Sequence, residues 1–158
     1  MDLLDSVFEK KPNESEPPYY EPLRQRDFVA AVPLLMDAIR RDDAQAMALF
    51  ATLLALGRGV KQNMQDAADW FRQAAVRGQV SGQAAYGGCL ASGLGVERND
   101  SEAAYWLFRS AQQGYSQAIE MLSNLALRNR EVIGQHFSIE DFMGLMRKAK
   151  RPVRNSLH

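Results

Sequence analysis

A block of sequence recurs in the chain after 36 positions. GRGVKQNMQDAADWFRQAAVRG (57–78) aligns without gaps with GLGVERNDSEAAYWLFRSAQQG (93–114), and the shared residues include both glycines of a Gly-x-Gly-Val segment and a tryptophan. A period of 20 to 50 residues is typical of stacked supersecondary units that bury their apolar faces against one another. The repeat therefore predicts a solenoid and constrains the fold more than any other feature of the chain.

Each unit contains the signals of a helix that follows the Gly-x-Gly-Val segment, which we call helix B. Asn63 and Asn99 are favourable N-cap residues, and Asp66 and Glu102 stand three positions later, as in a capping box. Glycine follows where this helix should end. Apolar residues at helical spacing give helix B one apolar face, which in the first unit comprises Ala67, Trp70, Phe71, Ala74 and Ala75.

A second helix, helix A, precedes each Gly-x-Gly-Val segment. Small and large apolar residues alternate along it, as close helix packing requires. The pattern occurs twice clearly and a third time in faded form without the double-glycine loop, which is typical of a terminal repeat. The three sets are Ala46, Phe50, Ala51 and Leu54; Gly82, Tyr86, Gly87 and Leu90; and Ala118, Leu122, Ser123 and Ala126.

The flanking segments predict capping elements. Residues 33–41 resemble a degenerate helix B that Asp27 caps and that Pro33 either kinks or starts. Ser138 and Asp141 predict the start of a last helix with an apolar stripe. We expect a leader over 1–26, partly disordered or capping, a repeat solenoid over 27–150 and a basic tail over 151–158. The stripe comprises Ile139, Phe142, Leu145, Met146 and Ala149.

These motifs resemble the Sel-1-like repeat family, which is related to tetratricopeptide repeats. The resemblance covers AQAMALFATLLALGRGVKQNMQDAADWFRQAAVRG and GQAAYGGCLASGLGVERNDSEAAYWLFRSAQQG, with apolar substitutions at positions where the family prefers Leu, Gly or Tyr. It implies an all-α fold, a right-handed α/α solenoid of helix-turn-helix repeats with about three repeats plus capping helices. It also implies a concave face that binds protein ligands, without enzymatic activity or a cofactor.

Composition narrows the partners and the compartment. Lys plus Arg and Asp plus Glu number 19 each, so the chain lacks the basic excess of a nucleic-acid binder. The chain contains no run of 18 apolar residues, which would predict a membrane span, and its first residues do not resemble a signal peptide. A single cysteine allows no intramolecular disulfide. We therefore expect a cytoplasmic protein without membrane insertion.

The residue types that carry out chemistry are sparse and scattered. The Gly-x-Gly segments lack the strand and third glycine of a dinucleotide site. His136, His158 and Cys89 have no ligands or partners at suitable spacing, so we predict no metal site and no catalytic residue. Trp70 and Trp106 recur at one repeat position, which favours packing between helices over a role as binding hot spots.

Two surfaces are candidate binding sites. Tyr19, Tyr20, Leu23 and Phe28 cluster beside prolines, and they either reach a partner or, as we favour, cap the chain's own first helix. Helix A should line the inner, concave wall, where small residues would admit a helix or strand. The predicted wall comprises Ala48, Thr52, Ala55, Ala84, Gly88, Ala91, Glu120, Asn124 and Leu127.

The sequence-based hypothesis is a non-enzymatic protein-binding module. The family resemblance implies a bacterial cytosolic adaptor, or an immunity or inhibitor protein that binds a partner effector. Two alternatives stay open: a hydrolase on a repeat scaffold, and a structural homo-oligomer in which short solenoids stack end to end through the Met-rich last helix.

Overall fold

The computed structural model describes residues 3–8 and 15–149, and these residues form helices and no strand. Consecutive helices pack against each other along the chain, as in an α/α solenoid. The basic tail and His158 lie outside the described residues. The elements are α1 (Asp5–Phe8), α2 (Tyr20–Arg24), α3 (Phe28–Arg40), α4 (Ala44–Leu56), α5 (Met64–Val76), α6 (Val80–Ser92), α7 (Asp100–Gln112), α8 (Ser116–Arg128), a 3₁₀ turn (Arg130–Val132) and α9 (Ile139–Ala149).

Five helices correspond to the predicted repeats. Helices α4, α6 and α8 are copies of helix A, and α5 and α7 are copies of helix B. The Asn63 side chain accepts hydrogen bonds from the amides of Gln65 and Asp66, both at 3.1 Å, and Asn99 accepts from Glu102 at 3.0 Å. The predicted caps of the two helices B are confirmed, and each satisfies amides that the first turn leaves without a partner.

Helices α3 and α9 begin at N-cap residues that were predicted from the sequence. Asp27 accepts a hydrogen bond from the Ala30 amide at 3.0 Å at the start of α3. Ser138 Oγ accepts one from the Asp141 amide at 3.0 Å and donates to the Asp141 carboxylate at 2.8 Å at the start of α9. Both predicted helix starts are confirmed.

Two prolines lie inside helices. Pro33 is the sixth residue of α3, so the helix begins well before it and Pro33 does not start it. Pro33 has no amide to bond the carbonyl of Val29, and the helix tolerates this loss. Pro22 is the third residue of α2, a position whose amide would have no partner within the helix, so the helix accommodates it.

The described part of the leader packs on the first helix pair. Leu4, Val7, Tyr19 and Leu23 are fully buried, in one apolar cluster with residues of α3 and α4. The Tyr19 hydroxyl donates a hydrogen bond to the carboxylate of Asp43, the N-cap of α4, at 3.0 Å. These contacts cover one face of α3 and α4.

The two tryptophans occupy equivalent places one repeat apart. Trp70 meets Phe50 edge to face with 6.0 Å between ring centroids, and Trp106 meets Tyr86 in the same way at 5.9 Å. Both indoles are half-buried and pack against the core. The prediction that they pack between helices A and B is confirmed, with one edge of each ring left at the surface.

Candidate protein-binding surface

The nine residues of the predicted inner wall differ in accessibility. Ala48, Thr52 and Ala84 are buried, so they offer little side-chain surface to a partner, and the expectation that they line an open wall is corrected. Ala55, Gly88 and Ala91 are half-buried. Glu120, Asn124 and Leu127, all on α8, are exposed. The accessible part of the predicted wall is therefore its C-terminal third.

The chain itself covers parts of the first two thirds of the predicted wall. Ala48 belongs to an apolar cluster against which Leu3 of the leader packs. At Gly88, an added Cβ would stand 2.6 Å from the terminal methyl of Met121 on α8, so the two helices approach closely there. The rotation of each helix about its axis and the docking of the leader depend on tertiary contacts, so the spacing of residues in the sequence does not predict them.

An apolar groove lies between α8 and α9. Its volume is about 420 Å³, within the range of small-ligand pockets, and all but two of its lining residues are apolar. Leu127 is 77% exposed and Ile139 is 58% exposed, so two large apolar side chains face water at its walls. The lining residues are Ser123, Ala126, Leu127, Arg130, Ile133, Ile139, Phe142 and Met146.

Contacts behind the groove hold α9 in place. Phe137 stacks on Phe108 of α7 with 4.5 Å between ring centroids and also contacts Phe142 at 6.2 Å. The Ser123 hydroxyl lies 3.2 Å from the sulfur of Met146. The predicted stripe of α9 thus divides: Phe142, Leu145 and Met146 pack inward, whereas Ile139 and Ala149 remain exposed.

Charge is distributed unevenly around the groove. Arg130 is the charged residue among the lining side chains, and within residues 3–8 and 15–149 it forms no ion pair. Its neighbour Arg128, in contrast, contacts Asp100 of α7 at 3.1 Å. Asp100 also accepts hydrogen bonds from Arg98 and Asn129, and these bonds, that from Arg98 foremost, lower its pKa to about 2. An unpaired cation therefore borders an otherwise apolar groove.

The structure brings together one serine and one histidine that the sequence analysis did not connect. Ser101 Oγ lies 2.9 Å from Nε2 of His136; Ser101 is half-buried and His136 is exposed. They are 35 positions apart, about one repeat, and residues one repeat apart stack as neighbours in a solenoid. This spacing is the sequence feature from which their contact could have been predicted. No carboxylate contacts His136 among the described residues, so the pair lacks the group that orients a catalytic base.

Other reactive groups are isolated. Cys89 is buried on α6, and burial raises the pKa of its thiol to about 11, which suppresses the reactive thiolate. Across residues 3–8 and 15–149, no three His, Cys, Asp or Glu side chains are grouped so that they could hold a metal ion. Within the same ranges, no helix has the length and apolarity needed to cross a membrane.

Comparison with protein families identifies the repeats. The Sel1 repeat model matches residues 44–78 and 80–115, which are the pairs α4–α5 and α6–α7. The chain contains two Sel1 repeats. Sel1 repeats generally mediate protein–protein interactions, and their scaffold is typically non-catalytic. No curated protein matches this chain significantly in sequence.

Solved structures share its fold. A Sel1 repeat protein from Oxalobacter formigenes superposes with a TM-score of 0.72 at 25% identity, over 83% of this chain and 53% of that one. A protective antigen of uropathogenic Escherichia coli with an SLR fold gives a TM-score of 0.64 at 24% identity, over 80% and 30%. The chain thus spans about half of the first of these proteins and about a third of the second.

Proposed function

We propose that the protein is a non-enzymatic binding module that holds a partner protein in the groove between α8 and α9. The observation that carries this proposal is the exposure of Leu127 and Ile139 on facing walls of that groove. Exposed apolar surface of this kind marks interaction sites in folded proteins. Leu127 also belongs to the predicted inner wall, so the groove continues the exposed part of that wall, with Glu120 and Asn124 at its side.

The proposed occupant is a short amphipathic helix of the partner. A helix places apolar side chains at i, i+3 or i+4, and i+7 along one stripe, which suits an elongated apolar groove between two helices. The unpaired guanidinium of Arg130 adds charge complementarity for an Asp or Glu beside that stripe. Contacts of this type fit a cytoplasmic adaptor or a dedicated inhibitor of one effector.

Site-specific photo-crosslinking in cells tests this proposal. A photoreactive amino acid at Leu127 should form adducts with a heterologous protein, identified by mass spectrometry. The matched control is the same amino acid at Val76, which is 64% exposed at the end of α5 and away from the groove. Adducts that are equally abundant at both positions would contradict a specific groove.

A second variant measures the energetic role of the groove. Leu127→Asp should weaken binding of the crosslinked partner by roughly tenfold or more, because it replaces an apolar side chain with a carboxylate that binding would remove from water. The exposed position makes the substitution tolerable for folding. Adducts formed only between two copies of the chain would favour the alternative of end-to-end homo-oligomers and contradict a separate partner.

The hydrolase alternative has one favourable observation, the contact of Ser101 with His136. Ser101 is half-buried and His136 is exposed, and no orienting carboxylate accompanies them within the described residues. We therefore assign them no catalytic role. Ser101→Ala should leave the cellular phenotype of the protein intact, whereas Leu127→Asp should abolish it; the reverse result would favour an enzyme.

A further inference from the structure

A second cleft, of about 540 Å³, lies on another part of the solenoid. It is bordered by the C-terminal half of α7, by the turn between α5 and α6, and by the segment that carries His136. The lining side chains supply hydrogen-bond donors, and none of them is a carboxylate. The residues are Gly78, Gln83, Tyr105, Phe108, Arg109, Gln112, Gln113 and His136.

Tyr105 holds two nitrogen-bearing side chains at the cleft. Its hydroxyl accepts a hydrogen bond from an Nη of Arg109 at 2.9 Å, and the guanidinium lies over its ring at 5.6 Å from the centroid. The His136 ring also meets Tyr105 edge to face, with 5.6 Å between ring centroids. Arg109 and His136 are thereby placed around one phenol.

Both nitrogen groups retain donor capacity. A guanidinium has five N–H donors, and in the part of the chain that the structure describes Arg109 uses one hydrogen bond, to Tyr105, and forms no ion pair. Ser101 engages Nε2 of His136, which leaves Nδ1 for a ligand. If Ser101 donates to Nε2, the neutral ring carries its proton on Nδ1 and donates from there.

Packing does not require this arrangement. Helix α5, one repeat earlier, has the same length as α7, yet Asp69 and Gln73 stand at the positions of Tyr105 and Arg109. Repeats reuse core positions for stacking and vary the surface positions that carry function. The Tyr-Arg pair is therefore particular to the second repeat, and its counterpart in the first repeat has an acid and an amide.

From these contacts we infer that the cleft binds a carboxylate of an acidic peptide segment from a partner protein. Arg109 provides a forked donor that matches carboxylate geometry, His136 adds a donor, and Tyr105 is a positioning residue for both. The nearby Gln112 amide offers a further donor at the rim. This cleft and the groove between α8 and α9 share no lining residue, so each can be tested separately.

Fluorescence anisotropy with a labelled Glu-rich peptide tests the inference on the full chain. Arg109→Gln should raise the Kd roughly fivefold to tenfold through the loss of a charge-assisted contact. The matched control is Arg72→Gln, which removes the same charge from an exposed position of α5. Tyr105→Phe should raise the Kd less, since it removes the hydroxyl that orients Arg109 but keeps its charge.

Three results would overturn the inference. One is an equal change in Kd for Arg109→Gln and Arg72→Gln, which would indicate attraction by net charge alone. Another is equal affinity for a peptide with Gln in place of Glu. The third is release of the peptide by millimolar inorganic phosphate, which would indicate a site for small anions. Leu127→Asp changes the groove between α8 and α9 but no residue of this cleft, so it should not alter the Kd for the Glu-rich peptide. The two proposals can therefore fail independently of each other.

Discussion

Gly95 lies directly against the main chain of Met64: a Cβ added to Gly95 would stand 1.9 Å from the Met64 carbonyl oxygen. The same contact occurs one repeat earlier, where a Cβ on Gly59 would lie 2.6 Å from the carbonyl oxygen of Phe28. Phe28 and Met64 are the first residues of α3 and α5. The second glycine of each Gly-x-Gly-Val loop therefore allows the loop to contact the first turn of the preceding helix B.

This contact predicts a large effect of one added methyl group. Gly95 has φ +70°, and its neighbour is main chain that cannot rotate away, so Gly95→Ala should lower the free energy of unfolding by about 3 kcal/mol. Gly78→Ala is the control, because Gly78 also has positive φ but faces open space and should cost about 1 kcal/mol. Urea denaturation measures both. Equal losses would contradict the close approach.

The edge-to-face pair of Trp70 and Phe50 predicts a second stability effect. Trp70→Ala should lower the free energy of unfolding by about 3 kcal/mol, the lower end for a core aromatic, because one edge of the indole is exposed. Trp70→Phe keeps a ring at this position and should cost about half as much. Thermal unfolding measures both variants. An unchanged melting midpoint for Trp70→Ala would show that this ring does not stabilise the repeat.

The elements of the fold were predictable because their signals are local. The capping side chains of Asn63, Asn99 and Ser138 act on amides within three residues, and the repeat places the helices between them. Pro33 was harder to interpret, because the tolerance of a helix for a missing hydrogen bond depends on the packing of its other residues. The sequence defined where the helices are, and their rotation was open.

The candidate sites depend on that rotation and on contacts between distant residues. Ala48 was predicted to face a partner, but it lies in a cluster that Leu3 covers, which no periodicity indicates. Leu127 is exposed, yet the groove beside it also depends on the orientation of α9. The pairing of Ser101 with His136 has the same origin, since one-repeat spacing becomes a contact only after stacking.

The hydrogen bonds of Asp100 predict an acid-dependent loss of stability. An aspartate has a pKa of about 3.9 in an unfolded chain. Its pKa of about 2 in the folded protein means that the ionised form is stabilised, so this contribution is present above about pH 4 and is lost as the pH falls towards 2. Asp100→Asn should lower the free energy of unfolding by about 1 kcal/mol at neutral pH. It should also reduce the loss of stability between about pH 4 and pH 2, which denaturation at a series of pH values measures. Asp69→Asn, at an exposed position of α5, is the control and should change neither the stability at neutral pH nor its loss in acid.

The burial of Cys89 predicts that its thiol reacts slowly. With a pKa of about 11 in the folded protein against about 8.5 for a free thiol, the thiolate fraction at pH 8 falls on the order of 100-fold. A thiol-reactive disulfide reagent should therefore label Cys89 at least that much more slowly in the native protein than in denaturant. Labelling at the same rate in both conditions would show that α6 does not shield this side chain.

The fully buried Leu4 predicts that the leader contributes to stability and is not a loose extension. Leu4→Ala should lower the free energy of unfolding by about 2 to 4 kcal/mol, since it opens a cavity against α3 and α4. Val29→Ala is the control at the same end of the solenoid: Val29 is 72% exposed on α3, and its truncation should change stability by less than about 0.5 kcal/mol. Chemical denaturation separates the two. Equal, small effects would mean that residues 3–8 do not pack on the first helix pair in solution, and the faces of α3 and α4 that they cover would then be available to a partner.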